Sequence, residues 1–145
     1  MSDITIQKEE SDCEPVLYVR ARTGHNKGSM GDSGNVVPVY VSKTWGSEHI
    51  FQNNDKYCCK LLTIEPGMNT SMHYHIDKHE TMIVTEGILY IDYISEKELH
   101  TICIKPGNAF VIAPGLPHSL RAGDTVTKFI EASTPSYDKD SIRIR

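Results

Sequence analysis

The chain has no run of 18 consecutive apolar residues, so no part of it is long enough to cross a bilayer as a helix. Its start, Met1 to Glu14, is polar and acidic and lacks the apolar stretch of a secretory signal, so no membrane partner is expected. Cysteine is scarce. Cys13, Cys58, Cys59 and Cys103 form neither a C-x-x-C pair nor the dense pattern of a disulfide scaffold, which points to reduced thiols in a cytoplasmic protein. Of the adjacent Cys58 and Cys59, one thiol is expected in the core and one outside. A basic excess is missing too: 15 Lys+Arg stand against 19 Asp+Glu, a formal charge of −4 with no basic cluster, which excludes nucleic acid as the main partner. No segment keeps a helical period over three turns, and no internal repeat or low-complexity stretch occurs, so helical bundles and solenoids are excluded.

What is present suits one domain. A chain of 145 residues can form a single core without disulfides, since folding at about that size buries roughly 68% of the unfolded surface. Residues 1–14 read as a flexible N-terminal tail and 15–145 as the folded domain. Val16 to Val19 reads as a short edge strand. Gly24 to Gly34 holds four glycines in eleven residues, too costly in backbone entropy for a regular element, and reads as a connector. After Val36 to Val41, strand-like runs follow at Tyr57 to Ile64, Ser71 to His75, Glu80 to Thr85, Ile88 to Ile94, Leu99 to Ile104, Ala109 to Ile112, Pro117 to Arg121 and Val126 to Ala132. Turn signals such as Pro66-Gly67, Gly87, Pro106-Gly107 and Pro114-Gly115 separate them. Short strands punctuated about every 8–12 residues predict an all-β sandwich or barrel.

The densest chemistry lies between Gly67 and Gly87. His73 and His75 are two apart, which on a strand puts both imidazoles on one face. Glu80 follows five residues after His75 on what reads as the neighbouring strand, and His118 comes after the rigid Pro114-Gly115-Leu116-Pro117 turn. Three imidazoles and one carboxylate form a ligand set for one divalent transition metal, with Zn, Mn, Fe, Ni and Co all compatible. His25, His49, His79 and His100 lack such spacing and read as solvated. Lys60, Tyr74, Arg121 and Glu131 are the polar residues to test beside these ligands. A lysine or arginine can hold a phosphate, and a glutamate or tyrosine can move a proton. Trp45 reads as a packing anchor over one end of the barrel.

The spacing Gly67-x5-His73-x-His75-x4-Glu80-x6-Gly87 resembles the first motif of the cupins, and Gly107, Gly115 and His118 resemble the second, with Ala122 in place of its asparagine. That resemblance implies a single-domain jelly-roll β-barrel with a metal-binding core at about residues 45–132, a metal held by His73, His75, Glu80 and His118, and a homodimer. The segment Trp45-Gly46-Ser47-Glu48, Lys60 before Pro66-Gly67, and Asp140-Ser141-Ile142-Arg143 look like the cupin domain of type II mannose-6-phosphate isomerases, with Lys78 and Met82 where that family has arginine and tryptophan. It implies an isomerase or epimerase acting on a phosphorylated or nucleotide-linked sugar. Among the polar residues near the ligands, Glu131 and Tyr74 are then the candidate catalytic residues and Lys60 and Arg121 the candidate phosphate-binding residues. A non-haem Fe(II) dioxygenase or other metal-dependent cupin enzyme, and a non-catalytic sugar-binding cupin, remain as alternatives, because fold does not fix function.

Overall fold

The structure, a computed structural model, describes residues 19–20 and 32–144. The expected tail at 1–14, most of the run Val16 to Val19 and most of the glycine-rich segment lie outside the described residues. The chain divides into two compact units, Met1–Val37 and Pro38–Arg145. In the first, β1 (Val19–Arg20) pairs antiparallel with β2 (Asp32–Ser33).

The second unit is a jelly roll of two antiparallel sheets. One has six strands in the order β10-β7-β12-β5-β4-β3, which are Ala109–Ile112, Glu80–Glu86, Thr127–Ser133, Cys58–Ile64, Gly46–Asn53 and Val39–Lys43. The other has five in the order β13-β6-β11-β8-β9, which are Ser141–Arg143, His73–His75, His118–Ala122, Leu89–Ser95 and Glu98–Ile104. Among the described residues the only helical element is a 3-10 turn at Asp138–Asp140. The core lies between the sheets: Leu62, Ile64, Met82, Val84 and Phe129 from the first meet Leu89, Ile91, Leu120 and Ala122 from the second. Cys58 is buried and Cys59 is half-buried, as alternation along β5 requires.

Two strands escape a reading by pattern. β4 carries the mostly polar sequence Gly-Ser-Glu-His-Ile-Phe-Gln-Asn, and its pairing with β5 shifts register between Ile50 and Gln52. A bulge of that kind breaks the two-residue period from which strands are recognised. β13 has only three residues and exists because it pairs with β6. Two glycines are fixed by close approach. A Cβ on Gly87, where φ is +71°, would sit 2.2 Å from the Val126 carbonyl oxygen, and one on Gly46 would sit 1.9 Å from that of Thr63.

The topology also revises the expected ligand strands. β6 and β7 are not neighbours: β6 pairs with β11 and β13, whereas β7 pairs with β10 and β12 in the opposite sheet. The histidines and Glu80 therefore face each other across the sandwich. It is His118 that lies beside the first ligand strand, in direct register with His73.

Candidate metal centre

Alternation along three strands builds one wall. The inward positions are Cys58, Lys60, Leu62 and Ile64 on β5, Glu80, Met82 and Val84 on β7, and Thr127, Phe129 and Glu131 on β12. Each row carries one charged residue toward the same end, Lys60, Glu80 and Glu131, and register places Lys60 opposite Glu131 and Ser133 opposite Glu80, so the charged positions coincide. His73, His75 and His118 complete the opposite wall. The space between is a cavity of about 200 Å³, open to solvent.

The imidazoles bring one ring nitrogen each within 4.8 Å of one another. The Nδ1–H of His73 donates to the Ser71 carbonyl at 2.7 Å, and that of His118 donates to the Leu116 carbonyl at 2.9 Å. A carbonyl can only accept, so both rings keep their proton on Nδ1 and leave Nε2 free as a ligand. Glu80 Oε2 lies 3.5 Å from His75 Nε2 and 3.8 Å from His118 Nε2. All three of these atoms are buried, and none has a hydrogen-bond partner. Buried polar atoms left in that state are costly. A divalent cation satisfies them together, since bonds of roughly 2.1 Å from each ligand atom to a shared ion bridge such gaps. The donor set therefore fits a transition metal.

Electrostatics agrees. Burial, reinforced by the Lys78 ammonium, lowers His75 to about 4, and burial, reinforced by the neighbouring His73, lowers His118 to about 4. Burial also lowers His73. All three rings are neutral near pH 7, the form that binds metal. Burial and the Glu131 carboxylate push Glu80 up to about 8 in the protein alone, while a cation in the site favours its ionised form.

Beside the ligands lies a charged cluster. Lys78 Nζ is 3.2 Å from Glu131 Oε2 and 3.5 Å from Glu80 Oε1, and these side chains are at most 5% exposed. Burial opposes the Lys78 ammonium, but Glu131 and Glu80 outweigh it and raise its pKa. Burial likewise opposes the Glu131 carboxylate, but Lys78 and Lys60 outweigh it and lower its pKa. Both groups are ionised.

Lys60 and Glu131 line the cavity, and Lys60 reaches Glu48 at 3.7 Å and Ser136 Oγ at 3.4 Å. Tyr74 and Arg121 are not brought to it. Tyr74 sits between His73 and His75 on β6, so alternation turns it to the other face. Arg121 donates from Nε to Asp92 at 2.9 Å and lies 4.6 Å from the centre of the Tyr90 ring. Trp45 packs on the core and also lines the cavity. His79 is exposed, but His49 and His100 are half-buried, with ring centres 5.1 Å from those of Tyr40 and Tyr93, rather than solvated. Reading by sequence missed Lys78 as a site residue. A signal existed, because Lys78 lies two positions before Glu80 and shares its face if the backbone is extended. Lys43 and Arg143 also line the cavity, and nothing local in the sequence announces this.

The Cupin domain family matches residues 60–132. The D-lyxose ketol-isomerase of Thermofilum sp. (strain ex4484_79) is 28% identical over 127 residues, covering 70% of this chain and 70% of its own. The D-lyxose/D-mannose isomerase of Thermosediminibacter oceani is 26% identical over 138 residues, covering 79% of this chain and 70% of its own. Among solved structures, the capsular polysaccharide assembling protein CapF from Staphylococcus aureus has a TM-score of 0.66 at 20% identity over 75% of this chain. This chain spans only 34% of CapF, and the likeness is one of fold alone. The two facing sheets and the family match over residues 60–132 lead to one conclusion: this protein belongs to the cupin family.

Proposed function

We propose that this cupin is a metal-dependent sugar isomerase that moves a proton between adjacent carbons of an aldose–ketose pair. The observation that carries the reading is the buried, ionised Lys78–Glu131 pair set against the partnerless atoms of His75, His118 and Glu80. The two curated relatives, both named as sugar isomerases, support it.

Held by His73, His75, Glu80 and His118, a divalent metal would supply Lewis acidity toward a sugar carbonyl or the hydroxyl beside it. Glu131, ionised at neutral pH, accepts the proton that leaves the carbon next to the carbonyl and returns it to the neighbouring carbon. Lys78, an ammonium between Glu131 and Glu80, stabilises the negative charge that develops on the sugar oxygen and is the nearest donor for the hydroxyl proton that changes oxygens. Lys60, tied to Glu48 and Ser136, offers hydrogen bonds to the sugar from the same wall.

Phosphorylation of the substrate would engage the cavity's rim. Lys43 and Arg143 line the cavity and have no carboxylate within ion-pair distance among the described residues, so a phosphate would find cationic partners there. A free sugar requires neither. In solution the chain is proposed to be a cytoplasmic homodimer.

The test is incubation of metal-loaded protein in D2O with D-lyxose, D-mannose and mannose 6-phosphate, watching by proton NMR for loss of the hydrogen next to the carbonyl. Exchange with the free sugars alone assigns an unphosphorylated substrate, and exchange with the phosphate alone assigns the rim cations a role. No exchange with any of them, together with oxygen uptake on another substrate, replaces this reading with the oxygenase alternative.

A further inference from the structure

Residues 76–79 form the link between His75 and Glu80 and carry Lys78. Their backbone N–H groups must find acceptors, and all of them find acceptors in one segment of the chain, residues 134–140. The N–H groups of Ile76 and Asp77 donate to Asp140 Oδ1 at 2.9 and 2.7 Å, and that of Lys78 donates to Asp140 Oδ2 at 3.0 Å. The His79 N–H donates to Thr134 Oγ1 at 3.0 Å. A second tie crosses the same gap, where the Tyr137 hydroxyl donates to the Asp77 carboxylate.

Asp140 is 2% exposed, which is unusual for an aspartate that pairs with no lysine or arginine among the described residues. A buried carboxylate is tolerated when several N–H groups donate to it. A neutral side chain could cap this link with one oxygen, but only a carboxylate presents acceptors on both sides. The second oxygen does more than cap: Oδ2 also lies 3.9 Å from His75 Nδ1, on the side of the ring away from Glu80.

We propose that Asp140 is a positioning residue for the metal centre and for Lys78. By gathering three N–H groups of the link, it sets the spacing between His75 and Glu80 and keeps the Lys78 ammonium between Glu80 and Glu131. This gives a physical role to the acidic position in Asp140-Ser141-Ile142-Arg143, a segment that local pattern leaves unexplained. The proposal rests on the reading of His73, His75, Glu80 and His118 as metal ligands, and only its kinetic arm rests on the isomerase reading.

Asp140→Asn keeps the shape of the side chain but puts an NH2 where one acceptor oxygen was, so at least one N–H of the link faces a donor. Asp140→Ala removes all three side-chain acceptor contacts and leaves the Ile76 N–H only the residue-140 backbone carbonyl, which lies 3.3 Å away. Chelator-stripped protein is titrated with Co(II), read by its visible absorption bands and by competition for affinity, and amide exchange at residues 76–78 is followed by NMR without metal. For Asp140→Asn the expected results are Co(II) binding weakened about tenfold with shifted bands, and exchange at residues 76–78 faster by on the order of tenfold. In the deuterium assay, kcat per bound cobalt should fall while KM holds. Asp55→Asn, a change in an exposed turn, should leave every readout unchanged.

Unaltered cobalt affinity and bands in Asp140→Asn overturn the proposal even if the melting temperature drops, because Asp140 then only ties down the chain's end. Should Asp140→Ala fail to fold, Asp140→Asn decides; failure of both to fold also overturns it in favour of a structural role. If no sugar exchanges with the parent protein but the cobalt and amide readouts move as expected, the isomerase reading falls and this one stands.

Discussion

Replacing Lys78 with methionine isolates the charge arrangement on which the site depends. Methionine keeps most of the apolar stem, so the change in the metal-free protein is mainly loss of one ammonium from beside the ionised Glu131, with Glu80 largely protonated at neutral pH. Lys78 Nζ lies 3.2 Å from Glu131 and 3.5 Å from Glu80, with these side chains at most 5% exposed, so solvent screens the cluster little. At an effective dielectric of about 20, a pair of charges at such distances attracts by roughly 5 kcal/mol. Part of that is offset by the desolvation of the lysine itself, and removing one partner of a buried pair costs about 3–5 kcal/mol. For a chain of this size each kcal/mol moves the melting temperature by about 2–4 °C. Lys78→Met should therefore melt roughly 6–20 °C below the parent, measured by circular dichroism with chelator present. Saturating Zn(II) should shrink the deficit, because a cation beside Glu80 replaces part of the lost charge. Adding Glu131→Gln to Lys78→Met should also recover part of the loss, a coupling that identifies the pair as its source. A single variant that melts within about 2 °C of the parent would refute the reasoning, since that is the cost of a solvated surface pair.

In the His73→Ala/His75→Ala double variant, metal content by mass spectrometry should fall from near one ion per chain to near none, and full occupancy would remove these residues as ligands. Glu131→Gln should slow deuterium exchange at the sugar carbon by about 10²–10⁴-fold, the usual worth of a general base, and unchanged exchange would assign the proton to another group. Arg121→Ala should leave KM unaltered in the same assay, because its guanidinium is engaged by Asp92 and Tyr90 outside the cavity; a raised KM would restore it to substrate binding. The same variant bears on acid stability. Burial raises Asp92, but hydrogen bonds from Arg121 and Thr101 outweigh it and lower its pKa, so its contribution is present above the ordinary carboxylate range and lost as pH falls through the depressed value. Without Arg121 that loss should begin at higher pH in acid unfolding. Light scattering at micromolar concentration should give a dimer mass, since the edge strand β3 exposes Val39 and Tyr40 at 61% each; a monomer mass rules the dimer out.

Sequence alone determined the class of fold and the identity of the candidate ligands, because both are written in local pattern. Short apolar runs cut by Pro-Gly turns require strands, and His73-x-His75 on a strand requires two imidazoles on one face. Placement across the sandwich was not local. That Glu80 faces the histidines from the opposite sheet, and that His118 stands in register with His73, follow from strand order, which spacing along the chain does not encode. The bulge that hides β4 and the pairing that creates β13 depend on partner strands in the same way. The sorting of charged side chains was decided by tertiary structure as well. Lys60, Lys78 and Arg121 are equivalent cations in a list of residues, yet the fold buries Lys78 against Glu131, ties Lys60 to Glu48, and leaves Arg121 with Asp92 away from the cavity. A charge acquires a role from what lies within a few ångströms of it, and most of these neighbours are remote in the chain: Glu131 is 53 positions from Lys78 and Asp92 is 29 from Arg121.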